Sequence, residues 1–212
     1  SCHTKQVLRY EPIASYLRAL RTEIATVGTR LGARGRVTQI HLGGGSPSML
    51  TPADMIELSR LLRQSFVPAT NLEFSIEIDP NDMTAERYDG FATAGVTRAS
   101  IGVQDFDPKV HHAINRIQTV EQTREVIDAA RNSGFRSVSV DLIYGLPKQT
   151  LTEFSRTLEQ VIELHPDRIA VYGYAHLPEL FKAQKQLDAH DLPDPETRLS
   201  LLGRALELLC AA

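Results

Sequence analysis

The sequence predicts an α/β protein of parallel strands, a closed or nearly closed barrel of the TIM type. Three observations lead there. Five β-rich runs alternate with helical patterns: Val37–Leu42, Leu72–Ile78, Arg98–Val103, Ser137–Ile143 and Arg168–Tyr174. The repeat is long enough for right-handed parallel crossovers. Each run closes on, or is followed by, polar residues: Gly43–Ser46, Glu77 with Asp79, Gln104 with Asp105, Asp141, and Tyr174–His176. Periodicity alone fits an open doubly wound sheet equally well. Five successive strands feeding one rim favour a closed or nearly closed barrel, whose sites lie at the C-terminal strand ends.

The helices can be justified in order. Ile13, Leu17, Leu20, Ile24 and Val27 recur at intervals of three and four, so the first helix carries one apolar stripe, with Gly28 placed to cap its end. Thr51-Pro52 reads as an N-cap followed by a proline already set for the first turn. Thr119 to Gln122 and Thr150 to Glu153 match the capping box, and Gly95 and Gly134 stand where C-terminal caps belong. Ala189–Pro195 is a loop, and a last helix starts near Asp194-Pro195 with Leu199, Leu202, Leu206 and Leu209 on one side.

Composition narrows the function classes. The 212 residues suffice for one large domain, and a net charge of −3 argues against a broad nucleic-acid surface. Two cysteines at opposite extremes make no disulfide framework. Nothing resembles a signal peptide, and no apolar run approaches membrane-spanning length. A cytoplasmic protein with no nucleic-acid and no membrane partner is expected.

Individual groups leave alternatives open. Gly43-Gly44-Gly45 is either a plain strand-to-helix turn or a backbone surface pressed against a ligand. It is not a dinucleotide fingerprint, and no Lys-Ser/Thr follows to make a phosphate loop. Alternation places Ser75, Glu77 and Asp79 on one face; in a sheet covered on both sides, an inward carboxylate needs a partner. Asp141 poses the same problem inside Val138–Ile143. Gln104 fits a satisfied core amide or a ligand contact, and Arg116 a solvated residue or a ligand contact. His111 and His112 are adjacent and diverge on a helix, so they are no metal signature.

Taken together, the stretches HLGGGSPSML, FSIEIDPNDM, SIGVQDFDPKVHHAINRIQ, VDLIYGLPKQT and DRIAVYGYAHLP resemble the oxygen-independent coproporphyrinogen III oxidases, radical S-adenosylmethionine (SAM) enzymes of anaerobic haem biosynthesis. They run in family order along nearly the whole chain. GGGSP and GVQDF are shared with relatives of the family, whereas YGLPKQT followed by YAHLP is specific to the oxidases and differs in the related haem chaperones.

The resemblance implies a radical SAM type of incomplete barrel over residues 1–188, lacking its first strand, and the start of a C-terminal helical region over 189–212. It implies two SAM molecules and, in the full-length protein, a [4Fe–4S] cluster held by cysteines upstream of Ser1. Cys2 matches a fourth, non-ligating cysteine of that motif, so no cluster and no turnover are expected from this chain alone. The cofactor contacts implied are Gly44 and Glu77 for the first SAM. For the second they are Gly45, Ser46, Gln104, Arg116, Asp141 and Ala175. Ser46 stands where threonine is common, and keeps the hydroxyl. The implied reaction converts two propionates of coproporphyrinogen III to vinyl groups through a 5′-deoxyadenosyl radical, giving protoporphyrinogen IX. It requires an electron donor for the cluster. Two alternatives remain: a haem chaperone on the same barrel, and a metal-free α/β-barrel enzyme acting on a phosphorylated metabolite, with an anion bound near Thr51.

Overall fold

The computed structural model describes residues 11–212. Cys2 lies outside the described residues. Five strands form one sheet in the order β1 (Arg36–Leu42), β2 (Val67–Ile78), β3 (Arg98–Gln104), β4 (Ser137–Tyr144) and β5 (Arg168–Gly173). β1 pairs with β2, and β4 with β5, in parallel. Between the strands run α2 (Pro52–Ser65), α3 (Ala85–Thr93), α4 (Pro108–Ala113), α5 (Val120–Asn132) and α6 (Leu151–Glu163), with α1 (Glu11–Leu31) before and α7 (Pro195–Ala211) after. The expected α/β class of five parallel strands is therefore met. No helix among the described residues is long and apolar enough to cross a membrane.

The chain divides into two compact units. One runs to Ser100 and includes Asp128–Val138; the other comprises Ile101–Ile127 and Ser139–Ala212. In the first, Met55 of α2, Phe74 and Ile76 of β2, and Phe91 of α3 are fully buried. Phe74, Ser75 and Ile76 are buried in succession, which is the mark of a parallel strand covered on both faces. In the second unit Val103, Leu142, Phe154, Leu158 and Leu201 are completely enclosed. Each such side chain contributes about 1.5–3 kcal/mol by leaving water.

The predicted caps are met almost throughout. Thr51 Oγ1 accepts from Asp54 N at 3.1 Å. The Thr119–Gln122 box is reciprocal, with Thr119 N donating to Gln122 Oε1 and Gln122 N donating to Thr119 Oγ1. Gly95 and Gly134 adopt φ of +91° and +94°. Val96 N then reaches back to Phe91 O, and Phe135 N to Ala130 O, closing Schellman turns.

Three expectations are corrected. Gly28 lies inside α1 and does not end it; a Cβ there would stand 2.8 Å from Ser65 Cβ and Ser65 O, so the glycine permits close approach of α2. Gly32, at φ +51°, takes the turn instead. β2 starts at Val67, five residues before the expected Leu72, because Val67 N donates to Gly35 O and the register with β1 slips between Val37 and Gln39. On α7 the buried residues are Leu201 and Ala205, while Leu199 and Leu206 are 70% and 58% exposed. The leucine stripe is thus only partly packed, with Leu202 and Leu209 half-buried, and α7 lies beside α6.

Candidate functional site

In the first unit, β1 delivers the chain into Gly43–Gly45. Gly44 and Gly45 take φ of +74° and +66°, a region closed to most residues. The turn aims the Gly44 N–H at Glu77, which accepts through Oε2 at 2.9 Å. Glu77 Oε1 lies 3.5 Å from His41 Nε2. His41 Nδ1 meets Ser75 Oγ at 2.8 Å, and Ser75 Oγ donates to Ile40 O. A Cβ on Gly43 would fall 2.6 Å from both Glu77 Oε1 and His41 Nε2. Gly43 is therefore bare because two side chains occupy that space. Glu77 remains about half exposed, so a carboxylate of set orientation faces solvent.

Gly43, Gly44, Gly45 and Ser46 line a cavity of about 640 Å³ whose apolar wall includes Ile13, Tyr16 and Leu17 of α1. Ser46 precedes a 3-10 turn over Pro47–Met49, and its side chain makes no capping hydrogen bond there. Backbone amides, a hydroxyl and an apolar wall suit a small ligand with polar and flat apolar parts.

Asp79 serves the next turn. It follows the end of β2, so strand alternation no longer governs it, and its carboxylate caps the next turn by accepting from Asn81 N at 3.0 Å. Burial, and then the neighbouring Asp79, hold the Asp82 carboxyl above the usual range. Thr51 and Asp54 are joined side chain to side chain at 2.6 Å. An acidic group thus stands at the start of α2, where the phosphorylated-metabolite alternative needs an anion.

In the second unit, Gln104 ends β3 at φ +66°, uncommon for a non-glycine residue. A Cβ on Gly102 would lie 2.8 Å from Gln104 Nε2, so the amide folds back over that glycine. Arg116 Nη2 donates to Gly102 O at 2.7 Å. Gln104 Oε1 and Arg116 Nε are buried with no hydrogen-bond partner. Gln104 is thus not a satisfied core amide. Asp141 is half-buried on β4 opposite Ala170 of β5. Ala175 is exposed just past β5, its carbonyl accepting from Gln184 Nε2. Tyr174, whose hydroxyl burial shifts upward in pKa, packs against His176 with ring centres 6.0 Å apart.

The structure thus brings Gly44 to Glu77, Gly45 and Ser46 to one cavity, and Gln104 and Arg116 to Gly102. Sequence reasoning read Gly43 only as part of the triplet and missed His41. The signal for both was the unbroken triplet, since a simple turn needs fewer glycines. Among the described residues no group of His, Cys, Asp or Glu side chains could hold a metal, and their one cysteine, Cys210, is exposed on α7. These residues do not fit a [4Fe–4S] cluster.

Residues 2–161 match the Radical SAM superfamily. Oxygen-independent coproporphyrinogen III oxidase of Bradyrhizobium diazoefficiens is 45% identical over 197 residues, 93% of this chain and 44% of that protein. Its counterpart in Pseudomonas aeruginosa is 44% identical over 201 residues, again 44% of that protein. The solved coproporphyrinogen III oxidase of Escherichia coli, a radical SAM enzyme, matches with TM-score 0.92 and 39% identity, covering 100% of this chain and 48% of that one. The chain spans less than half the length of these relatives.

Proposed function

The chain belongs to the radical SAM superfamily, and we propose that it is the barrel portion of an oxygen-independent coproporphyrinogen III oxidase. Within it, residues 1–188 form the barrel part and 189–212 begin a C-terminal helical region. The superfamily's cofactors are SAM and a [4Fe–4S] cluster. The whole protein oxidatively decarboxylates two propionates of coproporphyrinogen III in the cytoplasm, drawing on an electron donor. When bound, SAM supplies the hydrogen-abstracting chemistry for that oxidation.

The residues of this chain bind and orient. Gly44 and Glu77 hold one SAM: the Gly44 N–H pins one carboxylate oxygen, leaving Glu77 aimed to accept from an ammonium or a ribose hydroxyl. Gln104, Arg116, Asp141 and Ala175 are assigned to a second. What carries this reading is the pair of unpartnered atoms, Gln104 Oε1 and Arg116 Nε. One accepts and one donates, which suits the amino and carboxylate groups at the amino-acid end of SAM. Each buried polar atom left unpaired costs about 1–3 kcal/mol, which a ligand would recover.

The test counts SAM molecules bound by the chain at equilibrium; two are expected. Glu77→Gln and Asp141→Asn should each weaken one of them by about 1.5–3 kcal/mol, the range for charged hydrogen bonds. In the protein carrying its cluster cysteines, Glu77→Gln stops SAM cleavage. Asp141→Asn leaves iron content unchanged and lowers coproporphyrinogen consumption. Wild-type behaviour of Asp141→Asn in both assays would make Asp141 structural. Tight stoichiometric haem binding without SAM binding would establish the chaperone instead.

A further inference from the structure

Asp105, directly after Gln104, is a buried carboxylate of 0% exposure that accepts from two backbone amides, a hydroxyl and a side-chain amide, all neutral. Its Oδ1 accepts from Phe106 N at 2.6 Å, Asp107 N at 2.9 Å and Thr157 Oγ1 of α6 at 2.6 Å. Its Oδ2 accepts from Gln149 Nε2 at 2.5 Å. Gln149 is itself buried and donates to Ile143 O, while its Oε1 accepts from Gly145 N and Leu146 N. The Asp105 carbonyl accepts from buried His111 Nε2 at 2.6 Å, and His111 O accepts from Arg116 N at 3.0 Å. One aspartate therefore ties together the end of β3, the loop reaching Arg116, the turn after β4 and α6.

Stability alone does not ask for such a group. Burying a carboxylate without a counter-charge is costly even when it is hydrogen-bonded, and apolar residues would fill the space more cheaply. The conformation of Gln104 explains its use. Asp105 N donates to Val103 O at 2.9 Å across Gln104 at φ +66°. That is a three-residue turn of the rare, strained hand. Strain of this kind persists only where the surroundings over-determine it. The donors converging on Asp105 supply that determination one residue away.

We infer that Asp105, with Gln149, Thr157 and His111 as its partners, is a positioning residue: it holds Gln104 and Arg116 in the geometry that presents Gln104 Oε1 and Arg116 Nε to SAM. This rests on the assignment of Gln104 and Arg116 under the proposed function.

The experiment measures SAM affinity by calorimetry and amide hydrogen exchange on the purified chain. Gln104→Ala removes the contact itself and should weaken SAM binding, leaving exchange at residues 105–107 unchanged. Asp105→Asn turns an amide N–H toward Gln149 Nε2, donor against donor. It should weaken SAM binding by about tenfold or more, as loss of a charged hydrogen bond does, and speed exchange at residues 105–107. Should Asp105→Asn unfold the chain, Thr157→Val removes one donor at nearly constant shape and carries the same expectation at about threefold. The positioning role is overturned if Gln104→Ala weakens binding while Asp105→Asn, or Thr157→Val in its place, leaves it within about twofold, a difference below the worth of one hydrogen bond. If the wild-type chain binds no SAM, or Gln104→Ala changes nothing, the site assignment itself falls, and the positioning role with it.

Discussion

Gly44 and Glu77 are joined across the two strands β1 and β2, the N–H of one donating to Oε2 of the other at 2.9 Å. Neighbouring glycines serve that contact differently, and the difference can be measured. A methyl on Gly43 would collide with the far ends of the Glu77 and His41 side chains, which can swing away. Gly43→Ala should thus keep stability within about 1 kcal/mol yet displace Glu77 and weaken SAM binding by about tenfold. A methyl on Gly45 meets nothing, but its φ is +66°. Gly45→Ala should cost about 1–2 kcal/mol of stability through backbone strain. Thermal melts with SAM titrations separate them; equal effects from both would show that the triplet acts only as a turn.

Tyr88 is enclosed, stacks edge-on with Phe135 at 6.2 Å between ring centres, and buries a hydroxyl with no partner. Tyr88→Phe keeps the ring pair and removes the unpaired group, so stability should rise by about 1 kcal/mol. Burial also pushes the Tyr88 phenol up to about 12. A raised acid favours folding fully below its unfolded value near 10, and that contribution disappears as the pH climbs through the folded value. The wild type should therefore lose stability between pH 10 and 12 faster than Tyr88→Phe does. Denaturant melts across that window decide it, and parallel slopes would contradict the assignment.

Leu201 and Leu199 lie two residues apart on α7, one wholly buried and the other 70% exposed. Leu201→Ala should cost about 2–5 kcal/mol by opening a cavity, whereas Leu199→Ala should stay within about 0.5 kcal/mol. Urea unfolding of the two variants tests which face of the helix packs; comparable losses would mean that the leucine stripe is covered as well.

Much of the fold was legible because its signals are local. A threonine or aspartate before a proline, a glycine past a helix end and β-branched runs of strand length each act within a few residues, and Thr51, Gly95, Gly134 and Asp194 do what their neighbours in sequence dictate. The motifs GGGSP, GVQDF and YGLPKQT likewise marked the turns that carry Glu77's partner, Gln104 and Gln149.

Which residues meet was decided only by tertiary structure. Nothing near Gly28 in sequence says that Ser65 will press on it, and a helix stripe counted in leucines cannot reveal that Leu201 and Ala205 face inward. Gln104 could not be told from a satisfied amide until its oxygen proved unpartnered. Asp105 read simply as a polar residue at a strand end, because its donors Gln149 and Thr157 come from 44 and 52 residues away. Sequence determines which local geometries the chain will accept. Contacts between distant segments then settle which polar groups are paired internally and which remain for a ligand.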